Sequence, residues 1–146
     1  MKKKLLIVAM LVVVIMTAVL LAGCNKSKMT LGFLMNGKDG KEVFVEVDID
    51  KYEGKMLSDL FLGEDSLGAK LKEGQYGFYF EGLQGIDVVG NTFINTYTSS
   101  EEYKDTSEFA AEPITIDGVT YYQANKGISY LPVEKDIRYL FVFESY

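Results

Sequence analysis

The residue best equipped for covalent chemistry is Cys24, the one cysteine of a 146-residue chain. It follows Leu21, Ala22 and Gly23 at the end of an apolar run. Small residues let the backbone enter a peptidase cleft, and a thiolate is the nucleophile that takes up a lipid group. The competing reading of a lone cysteine is a buried, inert thiol. Carboxylates come next. Asp48, Asp50 and Glu53 lie close together, but a calcium loop wants an oxygen ligand at position five and Gly at six, where Tyr52 and Glu53 stand. They read as solvated charges at a strand end. A pair of acids is enough for a glycosidase, yet among 21 acidic residues a chance pair carries no information. With no His in the chain, acyl-transfer triads lose their usual base and zinc sites their usual ligand. The expectation is a protein that is not an enzyme, with no catalytic and no metal-ligating residues.

Binding is left, and the ten tyrosines are its best instruments, because an aromatic body with a polar tip suits flat or sugar-like molecules. Phe and Tyr are also strong strand formers, so a given Tyr is first of all a core residue. Two places stand out. Tyr97 is followed by Thr98, Ser99 and Ser100, and Asn95 shares its strand face. Tyr121 and Tyr122 are neighbours, so on a strand they point to opposite faces and at least one should leave the core. The candidate ligand-binding residues are therefore Asn95, Tyr97, Ser99, Ser100, Tyr121 and Tyr122.

The segments that must position these residues start with the leader. Lys2, Lys3 and Lys4 precede an almost unbroken apolar run from Leu5 to Ala22, which is an export signal. A retained transmembrane anchor is the other reading, since the run approaches the ~20 residues that span a bilayer. The ending Leu-Ala-Gly-Cys is the bacterial lipoprotein pattern and decides between them. Residues 1–23 are read as a lipoprotein signal peptide and residues 24–28 as the lipidated Cys24 with a short basic tether whose lysines face anionic headgroups. Residues 29–146 are read as one domain with one core, on the extracytoplasmic face of the cell membrane. Without the leader, 12 basic residues face 21 acidic ones, a net charge of −9 that argues against nucleic acid.

Within the domain the periodicity is mostly that of strands. Met29 to Met35 leads through Asn36-Gly37 and Asp39-Gly40 into a return limb with Val43, Val45, Val47 and Ile49 on one face, a hairpin signal. Met56, Leu57, Leu60 and Phe61 then fit one short amphipathic helix stopped by Gly63. Glu64 to Gly74 reads as a polar connection. Tyr76 to Leu83 and Thr92 to Thr98 read as strands, and Ser99 to Glu112 as an exposed loop ending at Pro113. Ile114 to Ile116 and Val119 to Tyr122 form a second hairpin across Asp117-Gly118. The last strand is Ile137 to Phe143, ending three residues before Tyr146.

The order of these blocks resembles the small extracytoplasmic domains of Gram-positive lipoproteins that are likened to the C-terminal β-domain of transcobalamin. The resemblance is carried by Met56 to Leu62, by the Gly-aromatic strand Tyr76 to Ile86, by Phe93 to Ser100, and by Ala124-Asn125-Lys126-Gly127-Ile128 with Leu131-Pro132 and Tyr139 to Phe143. Phe93 stands where the family usually has Trp, and Lys135-Asp136 where it has Gly-Asp. The resemblance implies an α+β domain of β-grasp-like character, a mixed sheet with hairpins packed on one short helix. It also implies a corrinoid as ligand class and a vitamin-type importer as partner, with no resident cofactor.

Two functions follow as expectations. The first is a lipid-anchored binding or accessory module that captures a small molecule, vitamin or corrinoid-like, for a membrane importer. The second is a cell-envelope module that binds a protein or polymer through a sheet edge or the Ser99 to Glu112 loop. Oligomeric state is left open by the sequence.

Overall fold

The computed structural model of the protein describes residues 26–35 and 40–146. The leader, Cys24 and the Asn36-Gly37 turn lie outside the described residues. Strands β1 (Lys28–Met35) and β2 (Lys41–Asp48) form the first hairpin, with Lys28 opposite Asp48 and Met35 opposite Lys41. Val47 and Ile49 are buried while Glu42, Glu46 and Asp48 are exposed, as the alternation requires.

Helix α1 (Leu57–Gly63) buries Leu57, Leu60 and Phe61. Seven residues are too few to hold a helix in isolation, and tertiary bonds supply the difference. The N–H groups of Leu57 and Ser58, unpaired within any helix at this position, donate to the carbonyls of Leu131 (2.9 Å) and Ile128 (3.1 Å), and the Asp59 carboxylate accepts from the Met56 N–H.

Six strands form a mixed sheet in the order β2-β1-β9-β6-β8-β7, with β6 (Thr92–Thr98), β7 (Ile114–Ile116), β8 (Val119–Gln123) and β9 (Tyr139–Ser145). β1 and β9 run parallel, and β9 and β6 antiparallel. The β7–β8 hairpin turns on Asp117 (φ 49°) and Gly118 (φ 78°), the two positive values that suit an Asp-Gly pair. Ile116 of β7 lies four strands from β1 in the sheet, yet it shares a buried cluster with Leu34 of β1, so the sheet curls into a half-barrel. A second, three-stranded sheet joins β3 (Lys70–Gly74), β4 (Gly77–Leu83) and β5 (Ile86–Asp87).

Apolar side chains gather on both faces of the six-stranded sheet, where one core was expected. On the face under α1, Phe141 meets Phe61, Phe80 and Phe33 at centroid distances of 5.1, 5.6 and 5.8 Å. On the other face, under the curled hairpin, lie Leu34, Tyr97, Ile116, Tyr121, Leu140 and Val142. β9 is therefore covered on both sides, and its residues from Tyr139 to Val142 are all fully buried.

Three expectations change. The supposed connection Glu64 to Gly74 contains β3, a ribbon whose lysines and Glu73 are solvent-exposed and whose only large apolar residue is Leu71. The last strand begins at Tyr139 and runs to Ser145, because β6 pairs with it as far as Thr92 opposite Ser145. Lys26 and Lys28 are paired with Asp48 (2.9 Å) and Glu46 (3.1 Å) of the neighbouring strand, so the tether's lysines meet carboxylates of the domain itself. Ser27 is bound as well: its N–H donates to Asp50, and its carbonyl accepts from Ile49.

Candidate ligand-binding cleft

An open cleft of about 600 Å³ separates the small sheet from one end of the large one. Its lining comes from β5 (Ile86, Asp87), the start of β6 (Thr92, Phe93), the end of β9 (Phe143, Glu144, Ser145) and Tyr146. The register brings these together, since Phe93 lies opposite Glu144 and Thr92 opposite Ser145. A depression of about 370 Å³ adjoins it, lined by Tyr79, Phe80, Glu81 and Val88 and sharing Thr92 and Phe93.

Local bonds hold the cleft's rim. Thr92 Oγ1 accepts from the Val89 N–H (2.9 Å) and donates to the Val89 carbonyl (2.6 Å), closing the turn before β6. Asn91 donates to the Tyr146 carbonyl (2.8 Å) and accepts from its N–H (3.2 Å), which holds the Tyr146 ring in a stack on Phe93 at 4.8 Å and 27°. Asp87 is paired with Lys70 at 2.6 Å. Glu144 accepts from Asn95 Nδ2 (3.3 Å), Asn95 Oδ1 accepts from Gln123 (3.4 Å), and Gln123 Oε1 accepts from the Ala111 N–H (2.6 Å). This polar ladder crosses three strands from the Ser99 to Glu112 loop to the cleft. It fixes where the Glu144 carboxylate stands.

The six residues expected to bind ligand are not gathered in one place. Asn95 reaches the cleft through Glu144. Tyr97 and Tyr121 are buried in the cluster beneath the curled hairpin, and Tyr121 turns its hydroxyl toward Arg138. Tyr122 lies on the opposite face of β8, as adjacency demands, where it bonds Glu101 and stacks against the Lys104 ammonium at 5.1 Å. Ser99 and Ser100 shape the chain: Ser99 Oγ accepts from the Arg138 N–H (2.9 Å), and Ser100 Oγ from that of Glu102 (3.3 Å). Sequence reasoning passed over Asp87, Phe143 and Glu144. The available signal was the strand alternation that already placed Phe93, but the pairing partner 51 positions later was not readable.

Tyr97 Oη is buried, and among the described residues it has no hydrogen-bond partner. Burial, with a smaller contribution from the Glu144 charge, pushes its pKa up to about 12. Tyr139 is also raised, by burial first, but its hydroxyl donates to the Pro132 carbonyl at 2.8 Å. The two tyrosines should respond differently to loss of the hydroxyl. Tyr139→Phe is expected to lower stability by about 1 kcal/mol, because a partly buried carbonyl loses its donor. Tyr97→Phe should lose nothing and gain up to about 1 kcal/mol, because an unpaired hydroxyl leaves the core. In both cases the unfolded chain releases its phenolic proton first as pH rises. Stability contributed by the neutral phenol is thus intact below pH ~10 and declines above it, for Tyr97 through about 12. Urea titrations at pH 8 and pH 11 measure both effects, and the alkaline loss should be smaller in Tyr97→Phe.

Among the described residues, no group of three or more His, Cys, Asp or Glu could hold a metal ion, and no helix is long and apolar enough to cross a membrane.

No family model matches the chain. Over 45 residues it is 47% identical to N-glycosidase YbiA of Shigella flexneri, in serotype 5b (strain 8401) and in the species at large, a match covering 27% of this chain and 28% of the relative. The chain thus matches under a third of the length of these curated relatives. The structure is similar to that of a protein from Ruminococcus gnavus ATCC 29149 described as a candidate metal-binding protein, with a TM-score of 0.56 and 15% identity over 83% of this chain and 99% of that one. That likeness is one of fold: a mixed, mostly β architecture with one short helix.

Proposed function

We propose that the protein is a lipid-anchored extracytoplasmic binding module that captures a small molecule in the cleft between its two sheets and passes it to a membrane importer. The cleft is the observation that carries this reading. Its volume of about 600 Å³ falls in the range of sites that enclose small ligands. Its aromatic walls and two carboxylates suit an apolar body bearing hydroxyl, amide or cationic groups, and disfavour an anion.

The β-grasp-like, transcobalamin-like assignment belongs to this proposal. It is supported, among the described residues, by the hairpin-first order, the one short α-helix, and the parallel pairing of the first and last strands. Anchoring is supported by the leader and by Leu21-Ala22-Gly23-Cys24. Only Asn25 separates Cys24 from the ion-paired Lys26, a span of at most ~7 Å. The sheet end carrying Ser27 and Ile49 then faces the bilayer. β1 and β9 are parallel and the cleft lies at the far end of β9, so its mouth is distal to the membrane, open to solutes.

The test is native mass spectrometry of the full chain released from detergent micelles, after incubation with a metabolite extract spiked with a corrinoid. A discrete adduct is expected, reduced about tenfold in Phe93→Ala and Glu144→Gln, the effect of losing roughly 1.4 kcal/mol of contact. No adduct with any solute would shift the assignment to a protein or polymer partner. The 45-residue stretch that is 47% identical to an N-glycosidase gives one more outcome to watch, the appearance of cleaved product in place of an intact adduct.

A further inference from the structure

A further cavity, of about 300 Å³, lies at the end of the half-barrel where β1 begins, between β1–β2 and the tip of the β7–β8 hairpin. Thr30, Phe44, Glu46, Ile116, Asp117, Tyr121 and Arg138 line it. Its apolar floor exists because of a glycine. A Cβ on Gly32 would stand 2.7 Å from Phe44 Cε1 and 2.8 Å from Leu140 Cδ1, so the bare backbone lets the Phe44 ring lie across β1. That ring remains 39% exposed although it adjoins a buried cluster.

The charges around this floor are unequal in their commitments. Glu46 is paired with Lys28. Arg138 is the chain's single arginine, and among the described residues it forms no ion pair with a carboxylate. Its backbone is fixed on both sides of the peptide by Ser99, so the guanidinium projects from a rigid base. Tyr121, 1% exposed, points its hydroxyl at that guanidinium, and the same hydroxyl feels the opposite charge of Asp117. Asp117 is held at the hairpin tip by its positive φ.

We infer that this groove is a separate binding site for a small zwitterion of the amino-acid class. The ligand carboxylate sits on the Arg138 guanidinium and the Tyr121 hydroxyl, its ammonium faces Asp117, and its side chain lies on Phe44 and Ile116. Arginine presents a planar fork that matches a carboxylate in two bonds, and a hydroxyl fixed by burial adds a third donor without losing rotamer freedom on binding. The site is independent of the larger cleft, with which it shares no residue.

The probe is L-phenylalanine, titrated calorimetrically into the full chain in detergent micelles. Saturable binding below ~10 mM is expected. On the unmodified chain, 3-phenylpropanoate and phenethylamine, each lacking one charge, should bind at least about tenfold more weakly. Arg138→Gln and Asp117→Asn should each weaken L-phenylalanine by a similar factor, and Asn at 117 still tolerates the turn's backbone. Glu144→Gln, which acts on the other cleft, should leave the affinity for L-phenylalanine unchanged. Absence of saturable heat, or equal binding of L-phenylalanine and its two singly charged analogues, overturns the proposal whether or not the variants fold.

Discussion

Phe141→Ala is expected to lower the stability of the domain by about 3–5 kcal/mol, the largest loss any single truncation in this core should produce. Phe141 is fully buried at the centre of an aromatic group, edge-on to Phe61 (86°) and Phe80 (77°) and stacked on Phe33 (22°). It joins three elements: the helix through Phe61, the small sheet through Phe80, and the first hairpin through Phe33. Removing the ring leaves a cavity whose walls belong to separate layers, so collapse of one layer cannot fill it. Edge-to-face pairs add roughly 0.5–1.5 kcal/mol beyond burial, and two are lost. For a domain of about 120 residues the melting temperature should fall on the order of 10–20 °C. Calorimetry checks this, with Phe141→Leu as the control that keeps most of the volume. A loss below about 1 kcal/mol would mean the layers are not held together at this residue.

The second large effect is chemical. Cys24→Ser should abolish incorporation of labelled palmitate and leave residues 1–23 attached, because the hydroxyl does not take the thiolate's place as lipid acceptor and removal of the leader follows lipidation. In the unmodified chain, intact mass should correspond to residues 24–146 plus two or three acyl chains. At ~0.8 kcal/mol per buried methylene, two chains hold a protein on a bilayer where a single myristoyl group binds reversibly. Fractionation by itself would not distinguish the variants, since an uncleaved apolar leader also stays with the membrane. The mass and the label do. Palmitate on the Ser variant, or residues 1–23 still present in the unmodified chain, would remove the anchor from the proposed function.

Which elements were legible follows from how local their causes are. The hairpin β1–β2, helix α1 and strand β6 appear where the alternation and the 3.6-residue spacing put them, because one face of each is buried and the other wet. The Asp117-Gly118 turn was equally readable, since its positive φ values are a property of those two residues. β3 was not, because Lys70, Lys72 and Glu73 are solvated on both faces of an edge ribbon and leave no apolar period to detect. In β9 Tyr139 and Phe141 point to one face and Leu140 and Val142 to the other, and all four are buried. Only the curl of the sheet, with β7 closing over β1, covers that second face.

The candidate site shows the same division. That Tyr121 and Tyr122 part to opposite sides is dictated by strand geometry and needed no structure. That Tyr97 is buried, while Phe93 two turns of the pleat earlier lines a cleft, depends on what lies across the sheet at each position. The sequence by itself determined the acidic balance, a property of composition, and the hairpins and the short helix α1, whose turns and periods are set by residues close together in the chain. The tertiary structure alone decided the parallel pairing of β1 with β9, the second core, and the meeting of Glu144 with Asp87 and Phe93. Those contacts join residues separated by tens to more than a hundred positions, and nothing in a local period encodes the register in which distant strands meet.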